Sequence, residues 1–280
     1  MEAANRIGDV GASLTKAERR VAEVVLQNPQ LVAFGTVADL ASKAGSGAAT
    51  VVRLATKLGF DGFTALQASV QHDLARQLRP AAVRIREQAA GGAVGTHLRL
   101  ELENVRATLE EAQQDVVDAV VRTLSDVRAP LHVISGNASR GVACQFADEL
   151  EALRPGVALL DGNEVRVGRE LGLLGEGDVL IALDLRRYDR WVVDGVTRAK
   201  AAGAKVVAFS DSLLSPLTAA ADHTLVVTAA GAGPFDSHVG TLALFNLVVA
   251  GVAERLRSVA TERLERAEAA WSVDGALVDR

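Results

Sequence analysis

The sequence predicts an all-α helix-turn-helix domain followed by an α/β domain built on a doubly wound parallel sheet. Three observations carry that prediction. Residues 14–77 read as helix throughout, with apolar residues at helical spacing and two capping boxes. From residue 131 the pattern changes to five short apolar runs alternating with helical stretches, the mark of a parallel sheet covered on both faces. Between the two, residues 78–95 mix Pro80 and Gly91-Gly92 with several arginines, as an interdomain connection does. The expected boundaries are 1–78 for the helical domain, 79–95 for the linker, 96–258 for the sheet domain and 259–280 for a charged tail.

The chain has 280 residues, 49% hydrophobic and 23% charged, enough to bury two cores. Its apolar runs fall short of the roughly 20 residues needed to span a bilayer, and the start lacks a signal-peptide layout, so a cytoplasmic protein that does not enter a membrane is expected. The single cysteine, Cys144, rules out an internal disulfide framework, and its Val-Ala-Cys-Gln-Phe setting suggests a packed, inert thiol. Neither cofactor nor metal is expected. The formal charge is −5, yet residues 1–79 hold nine Lys/Arg against seven Asp/Glu, and the rest hold 21 against 28. The first part is therefore the one suited to meet a polyanion.

In the helical domain, Thr15 with Glu18 makes a capping box before an amphipathic run that Asn28-Pro29 stops. Thr36 with Asp39 repeats the device before residues 38–44. Gly45-Ser46-Gly47 then joins this helix to another in which Val51, Leu54, Ala55 and Leu58 form the buried stripe. Gly59 ends it, and Phe63, Leu66, Val70 and Leu74 mark a further helix. The helix after the glycine turn leaves Ala49, Thr50, Arg53, Thr56 and Lys57 on its other face, and no acid lies between Asp39 and Phe60. That face is either solvated or a ridge along which Thr50, Arg53 and Lys57 enter the DNA major groove. Small residues permit close approach, Arg53 can pair with guanine for about 1–3 kcal/mol of discrimination, and Thr50 can reach a phosphate or thymine methyl. A tight helix-to-helix junction with Gly45 at its start favours the second possibility.

In the sheet domain, residues 98–127 read as one long helix or two. The expected strands are 131–135, 157–160, 179–183, 205–210 and 224–228, and residues 240–256 form a closing helix. Ligands of such sheets lie beyond the strand carboxyl ends, which directs attention to the loops after Ser135, Leu183 and Phe209. The first, Ser135-Gly-Asn-Ala-Ser-Arg-Gly141, suits an anion held by backbone N–H groups and a helix N-terminus, or is an ordinary tight turn. Val142 and Ala143 stand where a P-loop requires Lys and Ser/Thr, so nucleotide hydrolysis is not expected.

Leu14-Thr-Lys-Ala-Glu-Arg-Arg, Ala38-Asp-Leu-Ala, Ala49-Thr-Val-Val-Arg53 and Lys57-Leu-Gly-Phe-Asp-Gly-Phe63 together resemble the N-terminal domain of the RpiR (MurR/RpiR) family of bacterial transcriptional regulators. The resemblance implies double-stranded DNA as partner and Lys16, Ser46, Ala49, Thr50, Arg53 and Lys57 as DNA-contacting residues. Where the family has Gly-Val-Ser in the turn, this chain has Gly45-Ser46-Gly47, so either Ser46 caps one position early or Gly47 serves as a weaker cap.

For the second half the resemblance implies a SIS domain that senses phosphosugars. Where such domains have a Ser-x-Ser-Gly-x-Thr phosphate cradle, this chain has Asp184-Leu-Arg-Arg-Tyr-Asp189. Arg186 and Arg187 either clamp an anion beside Tyr188 or pair with Asp184, Asp189 or a second subunit. The candidate effector contacts are Asn137, Ser139 and Arg140 of the first loop, Asp184, Arg186, Arg187 and Tyr188 of the second, Ser210 and Ser212 of the third, and His238 at the start of the closing helix.

These readings make the chain a regulator that binds an operator as a homodimer, with tetramers an open alternative, and responds to a small anionic metabolite, sugar phosphate or carboxylate. The rival is a phosphosugar isomerase-like enzyme using Glu149, Glu170 or His238, none of which sits in a catalytic motif. A constitutive dimeric DNA binder without effector is the third possibility.

Overall fold

The structure, a computed structural model, describes residues 2–77, 80–87, 94–213 and 215–274. By its contacts the chain divides into two units, residues 1–88 with 212–219 and residues 89–211 with 220–280.

The first unit holds α1 (Glu2–Val10), α2 (Lys16–Gln27), α3 (Pro29–Phe34), α4 (Val37–Lys43), α5 (Ala48–Lys57), α6 (Gly62–Gln77) and α7 (Ala81–Glu87). Both capping boxes are present. The Thr15 hydroxyl accepts from the Glu18 N–H while the Glu18 carboxylate accepts from the Thr15 N–H, and Thr36 and Asp39 do the same at α4. Val51, Leu54, Ala55 and Leu58 are buried as their spacing predicts, in one core with Val21, Val25, Val32, Leu40, Leu66 and Val70. No cap announces α1, which lies ahead of the first predicted helix. It is held by burial of Ala3 and Ile7 in that core and by Arg6, which donates to the Leu58 carbonyl at 2.9 Å and stacks over Phe60. Two residues of the expected connection, 78 and 79, and its residues 88–93 lie outside the described residues; α7 and the start of the next helix occupy the rest.

The second unit carries a five-stranded parallel sheet in the order β2-β1-β3-β4-β5, from β1 (Leu131–Ser135), β2 (Val157–Leu159), β3 (Val179–Asp184), β4 (Lys205–Ser210) and β5 (His223–Val226). The predicted strands are all found, with ends shifted by one or two residues at β2, β3 and β5. Of the one or two helices expected over residues 98–127, two are present, α8 (Val94–Glu111) and α9 (Gln114–Leu124). Then come α10 (Arg140–Leu153), α11 (Glu164–Gly172), α12 (Arg190–Ala201), α13 (Val239–Arg255) and α14 (Arg257–Asp274), the last lying in the expected tail.

One sheet face packs Val133, Ile181, Val207 and Phe209 against α9, α10 and α13, where Phe146 stacks on Phe245 at 4.0 Å between ring centres. The other face meets α11 and α12. Gly195 of α12 lies so close to the sheet that a Cβ there would stand 2.9 Å from Ile134 Cδ1. Arg154 is wholly buried and donates to the carbonyls of Leu124, Asp126, Ala129 and Pro155, closing the end of α9 and the turn into β1. Cys144 is half-buried rather than packed away, with its Sγ 3.7 Å from Asp148 Oδ2, because its position on α10 falls at the edge of the core stripe.

Candidate DNA interface and effector cavity

The α4–α5 junction is a Schellman turn. Gly45 takes φ +55°, its N–H donates to the Ser42 carbonyl, and the Ser46 N–H donates to the Ala41 carbonyl at 2.9 Å. Arg20 of α2 locks the turn by donating to the carbonyls of Ala44 and Gly45. Of the two capping arrangements left open by the sequence, Gly47 is the N-cap of α5. It supplies no side chain, and the Ser46 hydroxyl is buried without a hydrogen-bond partner. The first turn of α5 thus has no side-chain cap; its Thr50 N–H donates to the Gly47 carbonyl at 2.9 Å, and Ala48 and Ala49 are exposed.

The expected ridge of Thr50, Arg53 and Lys57 is corrected in its rotation. Thr50 is only 7% exposed, because it flanks Leu54 on the core side, and its hydroxyl accepts from the Arg53 guanidinium at 3.2 Å. Lys57 is exposed but engaged, donating to the Ser13 carbonyl at 2.7 Å and pairing with Glu18 at 3.2 Å. The Thr15 N–H, with Lys57 assisting, holds the Glu18 carboxyl below its ordinary pKa. The outward face of α5 is instead Ala48, Ala49, Val52, Arg53 and Thr56. Val52, 42% exposed, is the residue the sequence reading passed over. Its signal was available, since it is an apolar side chain that falls off the buried stripe. Lys16 is exposed at the first turn of α2.

In the second unit the strand order reverses between β1 and β3, and the loops at their carboxyl ends meet. Asp184, at the end of β3, is 2% exposed and accepts from the N–H of Leu185 at 2.9 Å and of Asp189 at 2.6 Å. Burial pushes it up to about 7, against the pull of those two N–H groups. Its carboxyl group lies against Gly136, where a Cβ would stand 2.2–2.5 Å from three of its atoms, so only glycine fits. Asp189 accepts from the Asn137 N–H at 2.7 Å and from the Trp191 indole at 3.4 Å. Asp211 accepts from the Arg186 N–H at 3.0 Å and the Tyr188 hydroxyl at 2.8 Å, and burial raises its pKa.

Arg186 sits at φ +60°, with the Arg187 N–H donating to the Leu185 carbonyl at 2.7 Å, so the loop turns over a single residue in a conformation rare for a side chain of this size. Its guanidinium pairs with Asp236 at 2.8 Å rather than with Asp184 or Asp189. Arg187 is exposed. Ser139 and Ser212 are each 1% exposed, and Ser210, wholly buried, donates to the Asp184 carbonyl. His238 is the N-cap residue of α13; burial lowers its pKa, against the opposing effect of a hydrogen bond with the Ala138 backbone.

A cavity of about 630 Å³ opens beside these loops, bounded by the carboxyl ends of β1 and β2 and by α11 and α12. Of the candidate effector contacts only Asn137 and Arg140 line it. Asp184, Arg186, Tyr188 and Ser210 belong to the adjoining hydrogen-bond network, Arg187 is exposed, Ser139 and His238 are not among the lining residues, and Ser212 belongs by its contacts to the first unit. The wall is completed by residues the sequence reading did not single out for this role: Asp161 and Glu164 after β2, and Asp189, Arg190, Trp191, Asp194 and Arg198 of α12 and its approach. The strand-end rule points to the Asp161-Gly162 turn as well as it does to the other loops, and Arg190, Asp194 and Arg198 recur at four-residue spacing on one face of α12. Arg140 pairs with Asp161 across the cavity rim. Glu149 and Glu170 are not among the lining residues; Glu149 accepts from Gln145 and Glu170 pairs with Arg169.

Residues 1–77 match the model of the helix-turn-helix domain of the rpiR family, and residues 133–251 match that of the SIS domain. The chain belongs to the rpiR family. This rpiR-family chain is a transcriptional regulator with a helix-turn-helix and a SIS domain. An HTH-type transcriptional regulator of Haemophilus influenzae is 28% identical to it over 79% of this chain and 78% of its own length. Among solved structures, the sugar isomerase domain of an RpiR transcription factor from Sphaerobacter thermophilus has a TM-score of 0.58 at 29% identity, covering 62% of this chain and 97% of that one. The Vibrio vulnificus NanR protein complexed with ManNAc-6P has a TM-score of 0.57 at 20% identity, covering 99% and 100%, a likeness of fold. Among the described residues of the rpiR-family chain, no single helix is long and apolar enough to cross a membrane.

Proposed function

We propose that this regulator binds an operator as a homodimer through the outward face of α5, and that a small anionic metabolite held in the cavity of the sheet domain changes that affinity. The connection between the two activities is the 79–95 segment. The observation that carries the reading is the pairing of a rigid glycine turn, clamped by Arg20, with an adjoining helix that turns Ala48, Ala49, Val52, Arg53 and Thr56 to solvent. Small residues at the start of a recognition helix let the backbone approach the duplex, and Arg53 supplies a fork of donors for a guanine edge. Reading chromosomal DNA places the protein in the cytoplasm.

Support for a dimer comes from α8, where Leu98, Leu102 and Leu109 are 55%, 59% and 38% exposed and, with half-buried Val105, repeat at i, i+4, i+7 and i+11. A second copy of the same stripe would cover it. One recognition helix makes too few contacts for specific binding, whereas a dyad reads two half-sites about 34 Å apart. Selection of binding sequences from random duplexes, followed by footprinting, tests this. A site with two inverted half-sites one turn or a whole number of turns apart is expected, and a single unrepeated site bound by a monomer would overturn the dimeric reading.

A further inference from the structure

The backbone N–H groups at the carboxyl ends of β1 and β3 are where an open parallel sheet ordinarily offers an anion its donors. Here those donors are taken by the chain itself. The N–H of Asn137 donates to Asp189, those of Leu185 and Asp189 to Asp184, and that of Arg186 to Asp211. Three carboxyl groups therefore stand where a phosphate would have to sit. A phosphate monoester carries close to two negative charges at neutral pH and would meet repulsion there, with these four N–H groups already engaged.

The cavity beside this filled cradle has a different chemistry. Arg140 is committed to Asp161, but among the described residues Arg190 and Arg198 have no ion-pair partner, and Asp194 lies between them on α12. Arginine offers a planar fork that matches one carboxylate bidentately. Around it, Asp161 and Asp194 can accept hydroxyl protons, and Trp191, half-buried in the wall, presents an apolar surface of the kind a pyranose or an extended polyol lies against. A volume of about 630 Å³ accommodates a monosaccharide-sized molecule.

From these facts we infer that the effector is an unphosphorylated polyhydroxy carboxylate, a sugar acid, whose carboxylate is held by Arg190 or Arg198 and whose hydroxyls are read by the acidic wall. The inference rests on the cavity being the effector site. It narrows the proposed anionic metabolite to the carboxylate.

The test uses the full chain carrying Trp271→Phe, so that Trp191 is the remaining tryptophan and its emission reports the cavity. Matched sets are titrated: D-gluconate, D-galactonate, D-glucuronate and D-galacturonate, each beside its neutral parent sugar and its phosphorylated counterpart, with thermal shift as an independent measure of binding. At least one acid should change Trp191 emission saturably and bind tenfold or more tighter than both its neutral and its phosphorylated partner. Arg190→Ala or Arg198→Ala should weaken that acid at least tenfold while moving the neutral sugar less than threefold. Tighter binding of the phosphorylated members, equal binding of the neutral ones, or no binding by any acid would overturn the inference. A thermal shift without any change in Trp191 emission would instead overturn the cavity as the site, whatever the ligand's class. If the arginine variants fail to fold, inorganic phosphate alone decides the cradle argument: the parent protein should gain no stability from it at millimolar concentration, and a clear gain would count against the inference.

Discussion

Asp184 is the buried carboxyl on which the loop network closes, and replacing it with asparagine has a consequence that can be worked through. Well below pH 3.8 the side chain is protonated whether the chain is folded or not. As pH rises, the unfolded chain loses its proton first, near 3.8, while the folded chain keeps it until about 7. Across that window the folded state binds the extra proton, so this group's contribution is fully present at low pH and is lost as pH climbs through about 7. The displacement from 3.8 to about 7 corresponds to about 4 kcal/mol. The asparagine side chain of the variant does not titrate. It carries a penalty of its own, since its amide can accept from only one of the Leu185 and Asp189 N–H groups, but that penalty is independent of pH. The stability difference between Asp184→Asn and the parent should therefore shift toward the variant by about 4 kcal/mol between pH 4 and pH 8. Urea unfolding followed by Trp191 emission, with Trp271→Phe in both proteins, measures it. A difference constant to within about 1 kcal/mol over that range would refute the assignment of a raised pKa to this residue.

The other expectations concern packing and the cradle. Arg154→Met removes the guanidinium that donates to the carbonyls of Leu124, Asp126, Ala129 and Pro155, and about 3–5 kcal/mol of sheet-domain stability should be lost in denaturant titrations, a loss below 1 kcal/mol speaking against the buried arginine as an essential tie. Gly136→Ala places a methyl within 2.2–2.5 Å of the Asp184 carboxyl group and should cost about 2 kcal/mol or more; in an Asp184→Ser background the cost should shrink by at least about 1 kcal/mol, and simple additivity would deny the contact.

Much of the fold was legible because local chemistry and tertiary packing agree. The Thr15-Glu18 and Thr36-Asp39 boxes, the Gly45 turn and the stripe of Val51, Leu54, Ala55 and Leu58 each leave a mark in a few consecutive residues, and so do strands buried on both faces. What escaped depends on contacts distant in sequence. No capping box in the sequence announces helix α1, which is held by burial of Ala3 and Ile7. Thr50 reads as an outer-face residue because it is polar and lies beside an apolar stripe, whereas the core reaches one residue further around α5 and Arg53 satisfies its hydroxyl. The loop Asp184-Leu-Arg-Arg-Tyr-Asp189 announced by its charges that the hydroxyl cradle was gone. Which partners those charges choose, Asp236 for Arg186 and Asp211 for Tyr188, is set by segments more than twenty residues away. The cavity was missed for the same reason, since β2, α11 and α12 meet only in the folded sheet.

The most direct test of the DNA-reading face of α5 is the ratio of operator affinity to random-duplex affinity, measured at one fixed physiological salt concentration for the parent protein and for Arg53→Ala. A residue that pairs with a base edge supports about 1–3 kcal/mol of discrimination, so the ratio should fall by about fivefold to about 150-fold while binding to random DNA stays nearly constant. A ratio unchanged in a variant that keeps its helical content would place the recognition surface elsewhere on the molecule.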